Sequence, residues 1–491
     1  MHLKTAPALF LALGLSFLAF LPSLNNGFVH TWDDSTYLTN NPAVRDFSPS
    51  GIKRLFAAPH RGLYKPLVLL SFSAEYKLFG LNPKPYHLDN LLLHLANCAL
   101  VFLLALRMTA RPEAAFAVAA LFGVHPMHVE SVAWIAERKD MLYALFYLLA
   151  MSAYWRYLEA GGRRFLALTG VCFALSLLSK PQGISLPLTL LILDYFKGRR
   201  IAWELLREKL FFFAMAAAFV MFTLSTASSA KVVHLGEHFN ELHAVQISFR
   251  SLLIYLFKVF VPWPLTAVYP YPELKDGLLP LSCRLAPFAA ALVFGALFYA
   301  FRKNRAAVCG LAFFLATLLP VLPWLFMAPS PMFDHYSYLS YLGIFLPVSV
   351  WLLKAYDNAG RLAPAVSGLF FAVLLACAAA TSRQALVWKD DVSLWTHAAR
   401  HHPGYLRAAV GRAEGLRLGG DCLSSALEYS RIIESKPDVP QAYGGRALAF
   451  SCLGENEAAR ADCARAIQLN AAIAADYNCP TASQEEQKPA R

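Results

Sequence analysis

Charged side chains are scarce in this chain. Only 15% of its 491 residues are Asp, Glu, Lys or Arg, whereas 57% are hydrophobic. Soluble globular proteins carry about 25% charged residues, so the composition excludes an ordinary soluble enzyme and predicts a polytopic membrane protein. The basic residues outnumber the acidic ones, 44 to 32. In a membrane protein such an excess indicates cationic cytoplasmic loops, and we expect no nucleic-acid partner.

Three further absences exclude common kinds of site. No two glycines are separated by a single residue, and no glycine is followed by lysine. The sequence therefore has neither the glycine-rich loop of dinucleotide-binding proteins nor a P-loop, both of which place glycine backbone against phosphate. None of the nine cysteines forms a C-x-x-C pair. That absence excludes the usual zinc and redox motifs.

Long apolar runs dominate what is present. The first, residues 6–24, is not followed by a small-residue cleavage site, so we interpret it as a retained membrane anchor. Alternate runs end in cationic clusters, which by the positive-inside rule mark the cytoplasmic side. Successive loops alternate correctly between the two sides of the membrane if residues 247–268 do not cross it and form a re-entrant or surface-lying helix. This predicts about eleven spans. The later apolar runs lie at about 91–107, 113–124, 141–157, 165–179, 184–196, 210–227, 285–301, 306–327, 336–354 and 362–381.

The sequence predicts an all-α protein with two domains. Residues 1–381 form the membrane domain, and its first outer loop covers residues 25–90. Residues 388–480 are more polar and repeat their Gly and Pro positions at a spacing of 34, which is typical of tetratricopeptide repeats in a short α-solenoid. Four cysteines in this domain either pair in an oxidising compartment or remain buried thiols. Residues 481–491 are predicted to be disordered.

The polar motifs lie in the predicted outer loops. Asp33 and Asp34 come directly after the first apolar run, where carboxylates are unfavourable unless they serve a function. The alternative is that both carboxylates belong to a solvated loop and serve no function. The cationic candidates on the same side are predicted to bind a substrate phosphate, and lipid headgroups are the alternative for Arg61, Lys65, Arg138 and Lys139. These candidates are His60, Arg61, Lys65, Arg138, Lys139, Lys180 and Lys258.

A sugar transfer from a polyprenyl phosphate would use these residue types. The acceptor hydroxyl needs a carboxylate that takes its proton, and the leaving phosphate needs cations or hydrogen-bond donors. His125, His128 and Glu130 are predicted to bind the donor substrate. Their spacing also allows a metal site, although no fourth ligand is evident. We therefore expect no metal site; a divalent metal is possible but not favoured.

Seven motifs in one order resemble the TMTC family and its bacterial relatives. They run through most of the chain, from the Gly-Phe-Val and Trp-Asp-Asp of the first outer loop to the start of the soluble domain. The motifs are Gly27-Phe28-Val29 with Trp32-Asp33-Asp34, Tyr64-Lys65-Pro66-Leu67, His125 to Ala133 with Glu137 to Asp140, Ser179-Lys180-Pro181, Tyr269 to Pro272, Asp334 to Leu339 and Trp388 to Trp395.

The resemblance implies a GT-C membrane fold similar to that of protein O-mannosyltransferases. Such enzymes take a sugar from a polyprenyl-phosphate carrier with inversion. The resemblance also implies that the acidic pair is catalytic, and Asp34 is the slightly favoured base. It makes Asp334 and His335 part of the donor site. Where the family is expected to have arginine, this chain has Lys65 and His335, which lack the bidentate geometry of arginine.

The leading hypothesis is an inverting glycosyltransferase in a bacterial inner membrane, with its active site and repeats on the outer face. A polyprenyl-phosphate-linked sugar is the expected donor, and Ser or Thr of a protein held by the repeats is the expected acceptor. An alternative retains the fold but gives the sugar to a lipid or glycan. A third hypothesis is a non-catalytic membrane anchor that displays the repeats as an adaptor.

Overall fold

The protein is described from a computed structural model, which covers residues 4–60, 62–200, 202–229, 239–325, 327–474, 477 and 479. These residues are mainly helical and contain two isolated bridges but no extended strand, which confirms the all-α prediction. The predicted disordered tail, residues 481–491, lies outside the described residues. Contacts divide the chain into two units. The first unit contains residues up to 26 and residues 40–386, and the second contains residues 27–39 and those from 387 onwards.

The first unit contains sixteen α-helices among its described residues. They are α1 (Thr5–Phe20), α2 (Pro49–Ala57), α3 (Pro66–Phe79), α4 (Pro83–Thr109), α5 (Pro112–Val124), α6 (Val129–Ala133), α7 (Arg138–Ala160), α8 (Arg163–Leu177), α9 (Leu186–Lys197), α10 (Trp203–Ser229), α11 (Glu241–Lys258), α12 (Leu281–Arg284), α13 (Ala286–Phe301), α14 (Arg305–Leu318), α15 (Leu342–Asn358) and α16 (Ala363–Ala385). Every apolar run identified in the sequence overlaps one of these helices.

Four segments of the described chain are long and apolar enough to cross a membrane. They are Thr5–Asn25, Pro83–Thr109, Trp203–Thr226 and Gly360–Trp388. A fifth is added if α5 and the helical segment Pro126–Ala133, which meet at a bend of 55°, count as one span. Two further apolar helical segments, Ala286–Phe301 and Arg305–Val321, are shorter than the roughly 20 residues that a straight span requires. Several membrane-length helices are therefore present, and the number eleven stays a prediction.

Small residues allow close helix contacts within the first unit. A Cβ atom at Gly123 on α5 would lie 1.8 Å from the Ser16 hydroxyl oxygen on α1. A Cβ atom at Gly310 on α14 would lie 2.0 Å from the carbonyl oxygen of Gly343 on α15. Helices in lipid associate through such close backbone approaches, because burying apolar surface gives little gain there. This packing is what a membrane location leads one to expect.

The second unit contains five α-helices and an earlier piece of chain. The helices are α17 (Asp391–His401), α18 (Leu406–Leu418), α19 (Cys422–Ser435), α20 (Pro440–Leu453) and α21 (Asn456–Leu469). Residues 27–39 pack with this unit. From the sequence they were predicted to belong to the first outer loop of the membrane domain. Their contacts with residues more than 350 positions later cannot be read from their place in the chain.

The second unit repeats its helix contacts at the same spacing as its Gly and Pro positions. Trp395 lies where a Cβ atom of Gly411 would be, and Tyr429 lies where a Cβ atom of Gly445 would be. Both members of the second pair follow those of the first by one repeat length. Large aromatic rings therefore pack against glycines at equivalent positions of successive helix pairs. The assignment of these pairs to tetratricopeptide repeats stays a prediction.

Ion pairs and a disulfide follow the same spacing. Arg412 pairs with Glu428, and Arg446 pairs with Asp462 at 2.7 Å, again one repeat length further along the chain. Cys463 and Cys479 lie one repeat length after Tyr429 and Gly445, and they form a disulfide. A second disulfide joins Cys422 to Cys452. All four cysteines of this unit are thus paired, which was one of the two alternatives left open by the sequence.

Replacing Gly445 by alanine should destabilise the second unit, because the new methyl group would lie 2.2 Å from Cζ of Tyr429. Overpacking of this kind lowers stability by about 1–3 kcal/mol. Hydrogen exchange of the α18–α21 amides in the purified full chain measures the change. Gly419→Ala is the matched control, since its nearest added contacts would be an ordinary 3.4 Å or longer. Equal exchange in both variants would contradict the packing described.

Candidate functional site

Three of the candidate residues stand directly before a proline. Lys65 precedes Pro66, the first residue of α3, while His125 and Lys180 precede short helical turns that begin at Pro126 and Pro181. Proline disfavours helical conformation in the residue before it. The Lys180 backbone is accordingly extended, with φ −156° and ψ 136°. These motifs therefore place polar side chains at breaks between helices.

A group of buried charged side chains, here the buried charge cluster, forms where these breaks meet within the first unit. Two lysines and two carboxylates come from the beginning of α7 and from the turn that precedes α9. The other members come from α6, α11 and the turn before α15. Its members are Glu130, Glu137, Lys139, Asp140, Lys180, Lys258, Asp334 and His335. None of them is more than 7% exposed.

Two ammonium–carboxylate pairs form the centre of the cluster. Lys139 Nζ lies 2.6 Å from Glu137 Oε1, and Lys180 Nζ contacts the carboxylate of Asp140. Lys180 Nζ also lies 3.9 Å from Glu137 Oε2, so it links the two pairs. Burial raises the pKa of Glu137, but the positive charges of Lys139 and Lys180 oppose it, and the net pKa is below its ordinary value. Glu137 is therefore a carboxylate at neutral pH.

His335 is placed between two of the carboxylates. Its backbone N–H donates to Glu130 Oε2 at 3.0 Å, and its Nδ1 lies 3.2 Å from Glu130 Oε1. Its Nε2 lies 3.7 Å from Glu137 Oε1. Burial lowers the pKa of His335 well below its usual range, and the neighbouring lysines reinforce this against the opposing effect of Glu137. The ring is therefore neutral near pH 7 and does not supply the charge of an arginine.

Asp334 belongs to a smaller group at the edge of the cluster. The Tyr269 hydroxyl donates to Asp334 Oδ1 at 2.7 Å. Lys258 Nζ donates to the Tyr269 oxygen at 2.7 Å and lies 3.7 Å from Asp334 Oδ1. It also donates to the carbonyl of Pro264. Two motifs that are far apart in the sequence, at Tyr269 and Asp334, are thus in direct contact.

Three side chains of this cluster are close enough together to hold a metal ion. One ligand atom each from Glu137, Asp140 and His335 lies within 4.8 Å of the others. Carboxylate and imidazole donors of this kind suit a divalent cation. The ammonium groups of Lys139 and Lys180 contact the same two carboxylates, however, and would compete with an added cation. The expectation that a metal is possible but not favoured stays a prediction.

The earlier metal candidate, His125 with His128 and Glu130, is not assembled in the described part of the chain. His125 Nε2 lies 3.0 Å from the carbonyl oxygen of Val259. His128 Nδ1 lies 2.7 Å from that of Phe122, while Glu130 contacts His335. Backbone carbonyls thus engage both rings. The two histidines are better explained as buried residues that connect the break after α5 to its surroundings.

Arg138 is buried and forms an ion pair inside the first unit. Its guanidinium makes two bonds to Glu75, at 2.8 and 3.0 Å, and one of 2.8 Å to the carbonyl oxygen of Tyr86. It also donates to the Asn90 side chain. Arg138 therefore joins α3, α4 and α7, and it does not contact lipid headgroups as one sequence alternative proposed.

The remaining candidates of the first outer loop differ in position. His60 and Leu63 exchange backbone hydrogen bonds of 2.9 and 3.0 Å, which forms a tight turn. Lys65 is buried, and its positive charge contributes to the low pKa of His335. Arg61 lies outside the described residues. The charge of Lys65 thus acts on a member of the cluster.

Asp33 and Asp34 lie in the second unit and differ in burial. Asp34 is only 1% exposed, and its Oδ2 accepts the backbone N–H of Val29 at 2.8 Å. Asp33 is half-buried and interacts electrostatically with Arg407. Nothing in the sequence distinguished the two residues. The structure shows that Asp34 stabilises the loop and that Asp33 is the more accessible carboxylate.

Sequence reasoning quoted Glu137, Asp140 and Tyr269 within motifs but did not select them as site residues. The signal was present for the first two, because Glu137-Arg138-Lys139-Asp140 is a charged run beside an apolar helix. Ser131, which donates to Asp140 Oδ2 at 3.0 Å, had no such signal. A hydroxyl is too common to indicate its partner from sequence alone.

Part of this chain is similar in sequence to proteins named as mannosyltransferases. Residues 65–226 match the model of the dolichyl-phosphate-mannose-protein mannosyltransferase family. The protein O-mannosyl-transferase TMTC1 of Mus musculus is 37% identical over 169 residues, which is 32% of this chain and 18% of the relative. Tmtc2 of Drosophila melanogaster is 34% identical over 200 residues, covering 38% and 21% respectively. For TMTC3 of Homo sapiens the identity is 30% over 188 residues, covering 36% and 20%.

These comparisons confirm the TMTC resemblance inferred from the motifs. The chain spans about a fifth of the length of these curated relatives, as the coverage of 18–21% shows. No solved structure matches the chain. The family match therefore concerns the segment that contains α3 to α10 and most of the buried charge cluster.

Arg138→Met should destabilise the protein, because it leaves the Glu75 carboxylate buried without its cation. Removing one partner of a buried ion pair lowers the free energy of unfolding by about 3–5 kcal/mol. The double variant Arg138→Met with Glu75→Leu should recover most of that loss, since it leaves no unpaired charge. Thermal unfolding of the purified protein in detergent measures both. A single variant as stable as the wild type would contradict the structural role of Arg138.

Proposed function

We propose that this chain is an inverting glycosyltransferase that moves a monosaccharide from a polyprenyl-phosphate carrier to a Ser or Thr hydroxyl of a protein acceptor. One observation carries the proposal. The segment that matches the mannosyltransferase family, residues 65–226, contains five members of the buried charge cluster. These are Glu130, Glu137, Lys139, Asp140 and Lys180. Buried charges in a membrane protein are unfavourable and commonly functional.

The proposed reaction exchanges one bond of the sugar for another. The acceptor oxygen attacks the anomeric carbon from the face opposite the phosphate, and the bond from that carbon to the phosphate oxygen breaks. The acceptor proton passes to a carboxylate, and the polyprenyl phosphate leaves with the bonding electrons. Inversion follows from this single displacement. The protein must therefore supply a base and stabilise the developing phosphate charge.

Lys139 and Lys180 are the residues we assign to the leaving phosphate. An ammonium group carries three N–H donors, so a lysine that contacts one carboxylate has the capacity to contact phosphate as well. Glu137 and Asp140 fix the positions of the two ammonium groups. Their negative charges also lower the energetic cost of burying the lysines while no donor is bound.

Asp33 is the residue we assign as the base. The resemblance implies that the acidic pair is catalytic, and the sequence analysis slightly favoured Asp34. The contact from Val29 to buried Asp34 and the greater exposure of Asp33 support the reverse assignment. A base must be reachable by the acceptor hydroxyl. Asp34 then stabilises the conformation of the loop through its hydrogen bond with the Val29 N–H.

The compartment and the acceptor are part of the same proposal. Two disulfides in the second unit support an oxidising environment, as on the periplasmic face of a bacterial inner membrane. We assign protein binding to the repeated helices of that unit, which as tetratricopeptide repeats would form a concave surface for a peptide. A lipid or glycan acceptor would use the same chemistry with a different binding surface.

Asp33→Asn should reduce sugar transfer by about 10²–10⁴-fold, because the amide cannot accept the acceptor proton. Asp34→Asn should retain much more activity, since an amide oxygen can still accept the Val29 N–H. The measurement gives purified protein radiolabelled polyprenyl-phosphate sugars together with a periplasmic extract. Label in protein that disappears in the Asp33 variant is the expected result.

Other outcomes of this assay have distinct meanings. Loss of transfer in Asp34→Asn alone would return the role of base to Asp34. Label found in lipid or glycan, and none in protein, would replace the proposed acceptor. No transfer by folded wild-type protein from any supplied donor would contradict the transferase proposal and favour the adaptor hypothesis.

A further inference from the structure

The acidic loop of the second unit, residues 27–39, contacts one helix of that unit at many points. Asp391, the first residue of α17, accepts the backbone N–H of Thr31 at 2.7 Å and that of His30 at 3.2 Å. The Thr31 hydroxyl also donates to the Asp391 carboxylate. One buried carboxylate thus receives three hydrogen bonds from two consecutive residues. Hydrogen bonds to an ionised acceptor are the strong ones in proteins.

Aromatic contacts extend the same attachment. The indole Nε1–H of Trp395, one turn further along α17, donates to the Thr31 hydroxyl oxygen at 2.6 Å. The ring of Trp32 packs edge-to-face against Trp395, with 5.2 Å between centroids. The guanidinium of Arg407 lies over the Trp32 ring, 4.3 Å from its centroid. Residues 31 and 32 are therefore fixed immediately before Asp33.

The attachment begins before these residues. The backbone N–H of Gly27 donates to the carbonyl oxygen of Lys389 at 2.8 Å, so the loop is joined to the chain just ahead of α17. Trp388 to Trp395 is one of the motifs noted in the sequence, and no step of the proposed reaction uses it. These contacts give that motif a role.

We infer that α17 holds the acidic loop in its conformation, with Asp391 as the principal positioning residue for Asp33. The inference rests on the proposed function for its catalytic meaning. The helix at the start of the second unit is then part of the catalytic apparatus, in addition to any role of the unit in binding a protein. A carboxylate base acts efficiently only when its geometry is fixed, and a displacement of about 1 Å can reduce a rate 100-fold.

Asp391→Asn tests this inference with a small change. An amide has a single acceptor oxygen and no charge, so it cannot accept the two backbone N–H groups and the hydroxyl as the carboxylate does. The neighbouring Asp390→Asn is the matched control. Asp390 Oδ1 accepts the N–H of Ser393 at 2.8 Å as the N-cap of α17, and asparagine caps helices as well as aspartate does.

Two measurements follow on the purified full chain. In Asp391→Asn the amides of His30 and Thr31 should exchange with solvent about tenfold faster or more, since a hydrogen bond to a charged group has an effect of that order. Asp390→Asn should exchange as the wild type does. In the transfer assay Asp391→Asn should lower kcat by roughly 10- to 100-fold with the KM for the donor unchanged.

Unchanged exchange at His30 and Thr31 in Asp391→Asn would overturn the inference whatever the activity. Faster exchange with wild-type kcat would overturn the catalytic part, because the loop would then not need α17. The exchange measurement requires no substrate. It therefore decides whether α17 holds the loop even if wild-type protein transfers no sugar, a result that would count against the proposed function alone.

Discussion

A buried cationic side chain in an apolar protein requires a compensating partner, and this constraint explains much of the first unit. Moving a charge out of water is unfavourable by several kcal/mol in real proteins. Lys139 and Lys180 meet the requirement through Glu137 and Asp140, and Arg138 meets it through Glu75. The three cations come from two breaks between helices. The turns that begin α7 and precede α9 must therefore keep their positions for the charges to stay paired.

The second unit has a different organising contact. Asp391 at the start of α17 binds the backbone of the acidic loop, and Trp395 on the same helix packs both against that loop and against Gly411 of α18. One helix thus connects the loop to the repeated helix pairs. Tyr429 and Gly445 repeat the second of these contacts one repeat length later, whereas Cys463 and Cys479 replace it with a covalent bond.

The sequence predicted the helical class, the position of each apolar helix and most of the polar side chains that meet in the first unit. These succeeded because apolar runs and X-Pro breaks are local signals. The contacts of Arg138 with Glu75 and of Tyr269 with Asp334 were not predictable, since nothing in either motif specifies its partner. The pairing of His125 and His128 with backbone carbonyls was missed for a similar reason: spacing indicates where a ring lies but not which atom it contacts.

The loop that carries Asp33 shows the same limit more strongly. Its place after the first apolar run predicted a functional role for its two carboxylates, and that role stays a prediction. Its association with α17 depends on hydrogen bonds between residues about 360 positions apart, and a single sequence contains no record of such contacts. The different burial of Asp33 and Asp34 follows from that tertiary arrangement.

We propose that the buried charge cluster binds the donor phosphate, and the KM for the polyprenyl-phosphate sugar in two matched variants measures this binding. Lys180 pairs with Asp140 and lies over the Tyr336 ring. Lys209, outside the cluster, pairs with Asp194 at 2.9 Å and lies over Tyr154. Both lysines are buried, so their replacement by methionine should destabilise the protein alike. We expect a donor KM raised about tenfold or more in Lys180→Met and unchanged in Lys209→Met. Equal KM values in the two variants would contradict it.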